Sequence, residues 1–566
     1  MSMKELYIIA SKPEIVKQLS QELGCTPLFA HLLASRGQES AAEALKFLQA
    51  PLSGLDLANC LYDMDRAVAR IAKALQHREK ILVFGDYDVD GITSTLVLTD
   101  FLQNCGGRVR HYIPHRMDEG YGLFPHHIDG FADKPDLIIT VDCGASSHAA
   151  ILRAAELGID VVVSDHHRVE GDLAAACAHI NPKRPECKSG KTYLCGVGIV
   201  FLLLIHLRQA LRKLNFWEDN QSEPNLKQYC DLVALGTIAD VCPLTGENRI
   251  FVKAGLNVIN SSPRPGLKAL IEQNCKDDAV DTQAAAFRLI PVLNAAGRMQ
   301  HAGEALKLLT AKDDTAAAKL SRELLKLNRK RQQMEQETMQ DILDALADDP
   351  GLLQKKALVV SGCEWHEGIL GILAARLAEK YGKPTLVLSE RNGACKGSGR
   401  TPAWLDLFKC LLSCGQYLTN FGGHRLAAGL SMPAANLADF RAAFENAVAA
   451  FEPVPESLRV DAEVRLNQLT PGFMQELAQL EPYGEGNPEP LFVARNVDVA
   501  DSRLLGAKNN HLKLRLKQNG SDTLDAIHFN YTQMYRPGTQ IEKLLFRLRW
   551  NTWNGQKKLQ IIVAGT

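Results

Sequence analysis

The sequence predicts an α/β protein: a parallel-sheet lobe, a long helix leading to a smaller α/β lobe, and a C-terminal β-barrel. Three observations carry this. Between residues 63 and 163, apolar runs ending in acids or glycines alternate with helical stretches, as in a parallel sheet covered on both faces. From Asp313 to Asp348 there is no Pro or Gly, and leucines recur at Leu320, Leu324, Leu325 and Leu327. From Val460 onward, short segments alternate apolar and polar residues between turn signals, the pattern of a small barrel. A chain of 566 residues exceeds one core and has room for roughly three to four domains.

Bulk properties narrow the class. Apolar content of 46% and charge of 23% are those of a folded protein. No apolar run is long enough to span a membrane, and MSMKELYIIASKPEIVKQ turns polar too soon for a secretory signal. The expected location is cytoplasmic. Fourteen cysteines lack any CxxC pair, Cys410 and Cys414 being the closest, so they read as reduced thiols. Net charge is −1, yet residues 501–566 carry +7 and the remainder −8. A basic C-terminal module suggests a polyanionic partner.

The first lobe begins with a helix at Asp63–His77 and a strand at Ile81–Phe84. Asp86, Asp88 and Asp90 follow within five positions, between Gly85 and Gly91. Carboxylates that close raise one another's pKa unless a cation holds them, and the glycines permit a sharp turn and close approach. A divalent metal site is the leading reading; taken alone, the run reads equally as a solvated loop. Ile92–Asn104 is an amphipathic helix, Arg108–Ile113 a second strand, and PHRMDEGYG a loop carrying Arg116. Asp136–Val141 ends in Asp142, and Asp160–Val163 ends in Asp165, His166 and His167. Parallel sheets place ligands at the carboxyl ends of their strands. Three strands therefore deliver acids and imidazoles to one edge, which favours a site. Asp240, after the apolar Leu232–Ile238, is a further candidate, and alone it reads as a helix-end acid. So many carboxylates exceed one ion's needs. Two bridged ions suit phosphate-ester hydrolysis, and mixed oxygen and imidazole ligation suits Mn²⁺, with Mg²⁺ tolerated.

GDYDVDG, VDCG, SDHH and LGTIAD, in that order, resemble the first four motifs of the DHH phosphoesterase superfamily. PVLNAAGR, CEWHEGILGILAAR, KGSGR and FGGHRLAAG resemble the remaining motifs of its RecJ branch, bacterial exonucleases acting on single strands from the 5′ end. One departure is Val292, where the branch commonly has a basic residue; Arg288 and Arg298 remain nearby. The resemblance implies a DHH-type lobe at 61–305, a connecting helix at 306–352, a DHHA1-type clamping lobe at 353–452 and an OB-like barrel at 453–566. Residues 1–60 would pack on the core. It implies catalysis and metal ligation by Asp88, Asp90, Asp142, His166 and Asp240, with His167 a ligand or a contact to the scissile phosphate. Asp86 and Asp165 would orient those ligands. It places the terminal 5′-phosphate near Arg116, Arg298, Ser398 and Arg400, with His424 beside the scissile group. Two Mn²⁺ ions, or Mg²⁺, are the implied cofactors. Implied partners are single-stranded DNA, a single-strand-binding protein and a helicase, with the chain a monomer in DNA recombination and repair.

Other stretches add detail. The long helix begins with Lys319, Arg322, Lys326, Arg329, Lys330 and Arg331, read as a solvated face, with contact to a strand's backbone the alternative. In the second lobe, strands at Ala357–Ser361 and Pro384–Leu388 flank a helix at Gly368–Tyr381. His366-Glu367 is no zinc-protease motif because Leu370 stands where a second histidine is needed. KGSGR and FGGH read as glycine turns whose amides would cradle a phosphate. In the barrel, HLKLRLK sets Lys513, Arg515 and Lys517 on one face, and Trp553 stands with Trp550 between cations. These are the materials of single-strand binding, although both tryptophans read equally as core. The predicted activity is metal-dependent 5′→3′ exonucleolysis of single-stranded DNA. The alternatives are a phosphoesterase of short oligoribonucleotides or cyclic dinucleotides, and a non-catalytic DNA-binding scaffold.

Overall fold

The computed structural model describes residues 6–566 apart from 170–172, 174, 218–221, 276–278, 455–456, 507, 520–521 and 554–555, and apart from the side chains of 552, 553 and 556. The chain divides into two units, residues 60–240 with 258–454, and residues 1–59 with 241–257 and 455–566.

In the larger unit, the first lobe is built on five parallel strands: β1 (Lys80–Gly85), β2 (Arg108–Tyr112), β3 (Leu137–Val141), β4 (Asp160–Ser164) and β5 (Ala178–Ile180). Their order across the sheet is β2-β1-β3-β4-β5. Ile81–Phe84 and all of β3 are buried, which is why these strands read as unbroken apolar runs. Helix α1 (Val89–Asn104) begins inside the acidic segment, earlier than the expected Ile92, with Asp88 as its N-cap. It is buried nearly all round, hydroxyls of Thr93, Ser94, Thr95 and Thr99 included. The reason is a further layer, in which α2 (Gly196–Lys213) and α3 (Cys230–Ala239) pack on α1.

Helix α4 (Ile290–Met299) packs along α5 (Asp314–Asp348), the long connecting helix. Val292 is fully buried, and Arg288 donates to the Cys275 carbonyl. The second lobe follows: β6 (Leu358–Cys363), α6 (Glu367–Tyr381), β7 (Thr385–Arg391), β8 (Ala394–Arg400), β9 (Asn420–His424) and β10 (Ala427–Pro433). The sheet order is β9-β10-β8-β7-β6, with β6 and β7 parallel and the rest antiparallel. His366 caps α6, accepting from the Gly368 amide at 3.1 Å. KGSGR and FGGH are strands, not turns. Lys396, Ser398 and Arg400 alternate with glycines that let neighbouring strands approach, a Cβ on Gly397 meeting Leu388 at 2.1 Å.

The other unit is a closed barrel of β11 (Phe492–Leu505), β12 (His511–Lys517), β13 (Leu524–His528), β14 (Gln540–Trp553) and β15 (Gln556–Gly565), with β11 pairing β14 to close it. Leu512, Leu514 and Leu516 fill the interior while Arg515 and Lys517 face out. Leu19, Phe29, Leu33 and Leu48 from the N-terminal residues share this core. Arg249 is fully buried and donates to the carbonyls of Phe47, Leu480 and Glu481 at 2.7–3.0 Å. All fourteen cysteines are free thiols, nine of them buried. Among the described residues no helix is long and apolar enough to cross a membrane.

Candidate metal centre and anion pocket

The site lies at the carboxyl edge of the first lobe's sheet. Asp86 leaves β1 and is buried. Asp88 accepts from the amides of Asp90 and Gly91 at 2.9 and 3.1 Å, so its carboxylate is fixed by the helix it starts. The Asp90 carboxylate accepts from the Gly196 and Val197 amides at 2.6 and 2.9 Å, at the head of α2. Asp142 follows β3 in the left-handed region, φ 60°, a conformation that non-glycine residues keep where a site requires it. Gly85 and Gly91 serve packing: a Cβ would meet Thr95 Oγ1 at 1.8 Å and the Asp86 carbonyl at 2.5 Å respectively.

Asp165 organises the histidine pair. Its Oδ1 accepts from the amides of His166 and His167 and from His167 Nδ1 at 2.7–3.0 Å, and its Oδ2 from the Ala145 amide at 2.8 Å. Burial opposes its ionisation, but bonds and charge from His167 hold its pKa well below the usual carboxylate range. Burial likewise lowers His167, yet Asp165 carries it up to about 9. His166 Nε2 lies 3.1 Å from Asp142 Oδ1, and its Nδ1 lies 3.6 Å from Asp240 Oδ2. Burial and then His167 push His166 down to about 3, so its imidazole is neutral, the form that ligates metals.

The carboxylates crowd one another. Burial, then Asp240 and Asp88, raise Asp90 to about 8. Burial, then Asp90 and Asp88, raise Asp142; burial and then Asp88 raise Asp86. Three sets of ligand atoms lie within 4.8 Å of one another: Asp86, Asp88 and Asp142; Asp142, His166 and His167; Asp90, His166 and Asp240. Asp86 Oδ1, Asp142 Oδ1 and His166 Nε2 are buried without a hydrogen-bond partner. Oxygen-rich donors with an imidazole, three of their buried atoms without a hydrogen-bond partner, fit divalent cations of the Mn²⁺ or Mg²⁺ type. Asp86, expected to orient ligands, has a carboxylate oxygen within 4.8 Å of those of Asp88 and Asp142.

One residue escaped the sequence reading. The Tyr121 hydroxyl lies 3.2 Å from the Asp142 carbonyl and 2.9 Å from His167 Nδ1, holding both. Only its place in the loop carrying Arg116 hinted at it.

Side chains from both lobes join these residues, Arg116 and Arg298 from the first and His424 and Arg400 from the second. The His424 ring stacks on His167, centroids 5.7 Å apart. Arg116 lies over the Tyr87 ring at 4.8 Å. Arg298 donates to the Gly368 carbonyl at 3.1 Å, and Arg400 to Ser398 Oγ at 3.2 Å. Burial, then Arg116, Arg331 and Arg400, bring Arg298 down to about 9; burial and then Arg116 lower Arg400. Guanidiniums that repel one another in a buried setting have the chemistry to hold an anion. Lys513, Arg515 and Lys517 belong to the barrel unit, where Lys513 is bonded to Asp525 at 2.8 Å. The Trp553 side chain lies outside the described residues.

Three family models match: "DHH family, N-terminal domain" over residues 80–237, "DHHA1 domain" over 354–450 and "RecJ OB domain" over 460–565. The "Single-stranded-DNA-specific exonuclease RecJ" of Escherichia coli (strain K12) is 36% identical, over 95% of both chains. A crystal structure of RecJ in complex with Mn²⁺ from Thermus thermophilus is 31% identical and superposes with a TM-score of 0.83, covering 100% of this chain and 80% of that one. The Mg²⁺ complex from the same organism gives 30% identity and 0.78, covering 100% and 79%.

Proposed function

The chain belongs to the RecJ family, and from that premise we propose that it is a metal-dependent exonuclease that hydrolyses single-stranded DNA from the 5′ end to 5′-mononucleotides. The observation that carries this reading is the convergence of five sheet-edge or helix-end acids with His166, beside a cluster of arginines. Asp86, Asp88, Asp90, Asp142, His166 and Asp240 would hold two Mn²⁺ or Mg²⁺ ions. Bound there, the ions supply acidification of a water and positive charge against the phosphoryl oxygens.

The chain's own residues do the rest. Asp165 keeps the proton on His167 Nδ1, leaving Nε2 of that ring for the scissile phosphate, with His424 stacked behind it. The Tyr121 hydroxyl donates to the Asp142 carbonyl and lies 2.9 Å from His167 Nδ1, fixing both. Arg116, Arg298, Ser398 and Arg400 grip the terminal 5′-phosphate, which sets the polarity of digestion. The crevice between the two lobes admits a single strand, and Arg515 and Lys517 on the barrel add contacts to its backbone, so affinity falls with salt. We place the enzyme in the cytoplasm, as a monomer in recombination and repair, working with a helicase and a single-strand-binding protein.

The test compares 5′-labelled and 3′-labelled single strands, a duplex and a dinucleotide, with Mn²⁺ or chelator. The reading expects mononucleotides released from the 5′ end only, and Asp142→Ala abolishing hydrolysis while single-strand binding persists. Hydrolysis by that variant, or release from the 3′ end, would contradict it.

A further inference from the structure

We propose that Glu335 is a positioning residue that sets the net charge of the arginine cluster, and so governs how tightly a terminal phosphate is held and how readily the mononucleotide product leaves. The inference rests on the phosphate-pocket reading above. Arg331, which the sequence placed on a solvated face, is buried. Its Nε and Nη2 donate to Asn328 Oδ1 at 3.1 and 2.8 Å, and its Nη1 to Glu335 Oε1 at 2.5 Å. Glu335 is itself 0% exposed, and its Oε2 lies 3.0 Å from Arg376 Nη2.

This buried pair borders the pocket through two helices. Arg298 stands on α4, which packs along α5, and Arg331 is among the charges acting on it. Arg376 stands on α6, whose Gly368 carbonyl accepts from Arg298 and whose Gly371 would meet Ser398 and Arg400 at 3.1 and 3.2 Å if it carried a Cβ. Arg331 and Arg376 thus stand on helices that adjoin Arg298 and Arg400, and Glu335 is the buried carboxylate paired with both Arg331 and Arg376.

The chemistry of the cycle gives this a consequence. The terminal phosphate must enter, yet after hydrolysis the product carries the same phosphate and must go. Each further positive charge tightens both steps, and tight product slows turnover. Glu335 cancels the charge of Arg331 without touching the phosphate. A unit charge on the order of 10 Å from a phosphate dianion, at an effective dielectric constant of about 40, changes affinity by roughly tenfold.

The test measures competitive inhibition of the full-length Mn²⁺ enzyme by deoxyadenosine 5′-monophosphate, with deoxyadenosine as the control. Glu335→Gln should lower the inhibition constant for the nucleotide by roughly tenfold, leave the nucleoside unaffected and reduce kcat more than KM. Arg331→Met, which leaves Glu335 with Arg376, should raise that constant, and the double variant should return near the parent. Opposite signs are what a merely structural role does not produce. Singles that shift it in the same direction, or leave it unchanged, overturn the inference, and Arg331→Met decides alone should Glu335→Gln fail to fold. Arg400→Ala separates the two levels. If it leaves nucleotide inhibition intact, the pocket reading fails; if it weakens inhibition while Glu335→Gln changes nothing, only this inference fails.

Discussion

Gly236→Ala places one methyl group where the site has no room for it. A Cβ at Gly236 would stand 2.6 Å from Thr93 Oγ1, 2.6 Å from Val197 Cγ1 and 2.8 Å from Asp90 Oδ1. Carbon needs about 3.5–4.0 Å from such neighbours, so the overlap is about 1 Å on three sides. Thr93, Val197 and Asp90 are all buried, and relief must come from shifting α3 against α1 and α2. Overpacking of this kind costs about 1–3 kcal/mol. The larger effect falls on Asp90, whose carboxylate is held by amides at the head of α2. A misplacement of about 1 Å at a reacting constellation costs about 100-fold in rate. The assay is the initial rate of nucleotide release from a 5′-phosphorylated single strand in Mn²⁺, with thermal melts in parallel. Gly130→Ala, in the same lobe with nothing within 4 Å of its Cβ, is the control and should match the parent. A folded Gly236→Ala enzyme within threefold of the parental rate would refute the reasoning.

Two stability predictions stand beside it. Arg249→Met should remove the buried guanidinium's bonds to the carbonyls of Phe47, Leu480 and Glu481; losing three hydrogen bonds from a charged donor costs about 3 kcal/mol or more, to be read as a lower denaturation midpoint. Glu119 accepts from the Tyr112 hydroxyl, the His115 amide and His127, and despite burial these bonds hold its pKa below the usual value. A carboxylate depressed on folding stabilises above its unfolded pKa and loses that contribution as pH falls through its folded value. Glu119→Gln should therefore destabilise more at pH 7 than in melts taken at pH 3, where the carboxylate's contribution is falling away; an equal deficit at both would contradict this.

Much of the site was legible because parallel strands carry their carboxyl ends to one edge whatever their side chains are. Asp86, Asp142, Asp165 and the histidine pair each follow a strand end, so sequence order sufficed. The amides that hold Asp90 were not legible: they belong to Gly196 and Val197, more than a hundred positions away. KGSGR was read as a turn because glycine permits turns, yet its alternation of glycine with Lys396, Ser398 and Arg400 is also the period of a strand. The buried Arg331–Glu335 pair has the i,i+4 spacing of any exposed helical ion pair, and only packing distinguishes them. Nor did composition reveal that residues 19–48 complete the barrel's core, since that depends on contacts more than 400 positions apart.

The most direct measurement is the anomalous diffraction of Mn²⁺ in crystals grown with a short 5′-phosphorylated strand. Two manganese peaks should lie among Asp86, Asp88, Asp90, Asp142, His166 and Asp240, with the terminal phosphate among Arg116, Arg298, Ser398 and Arg400. Manganese bound elsewhere, or the strand's 3′ end seated among those arginines, would contradict the account.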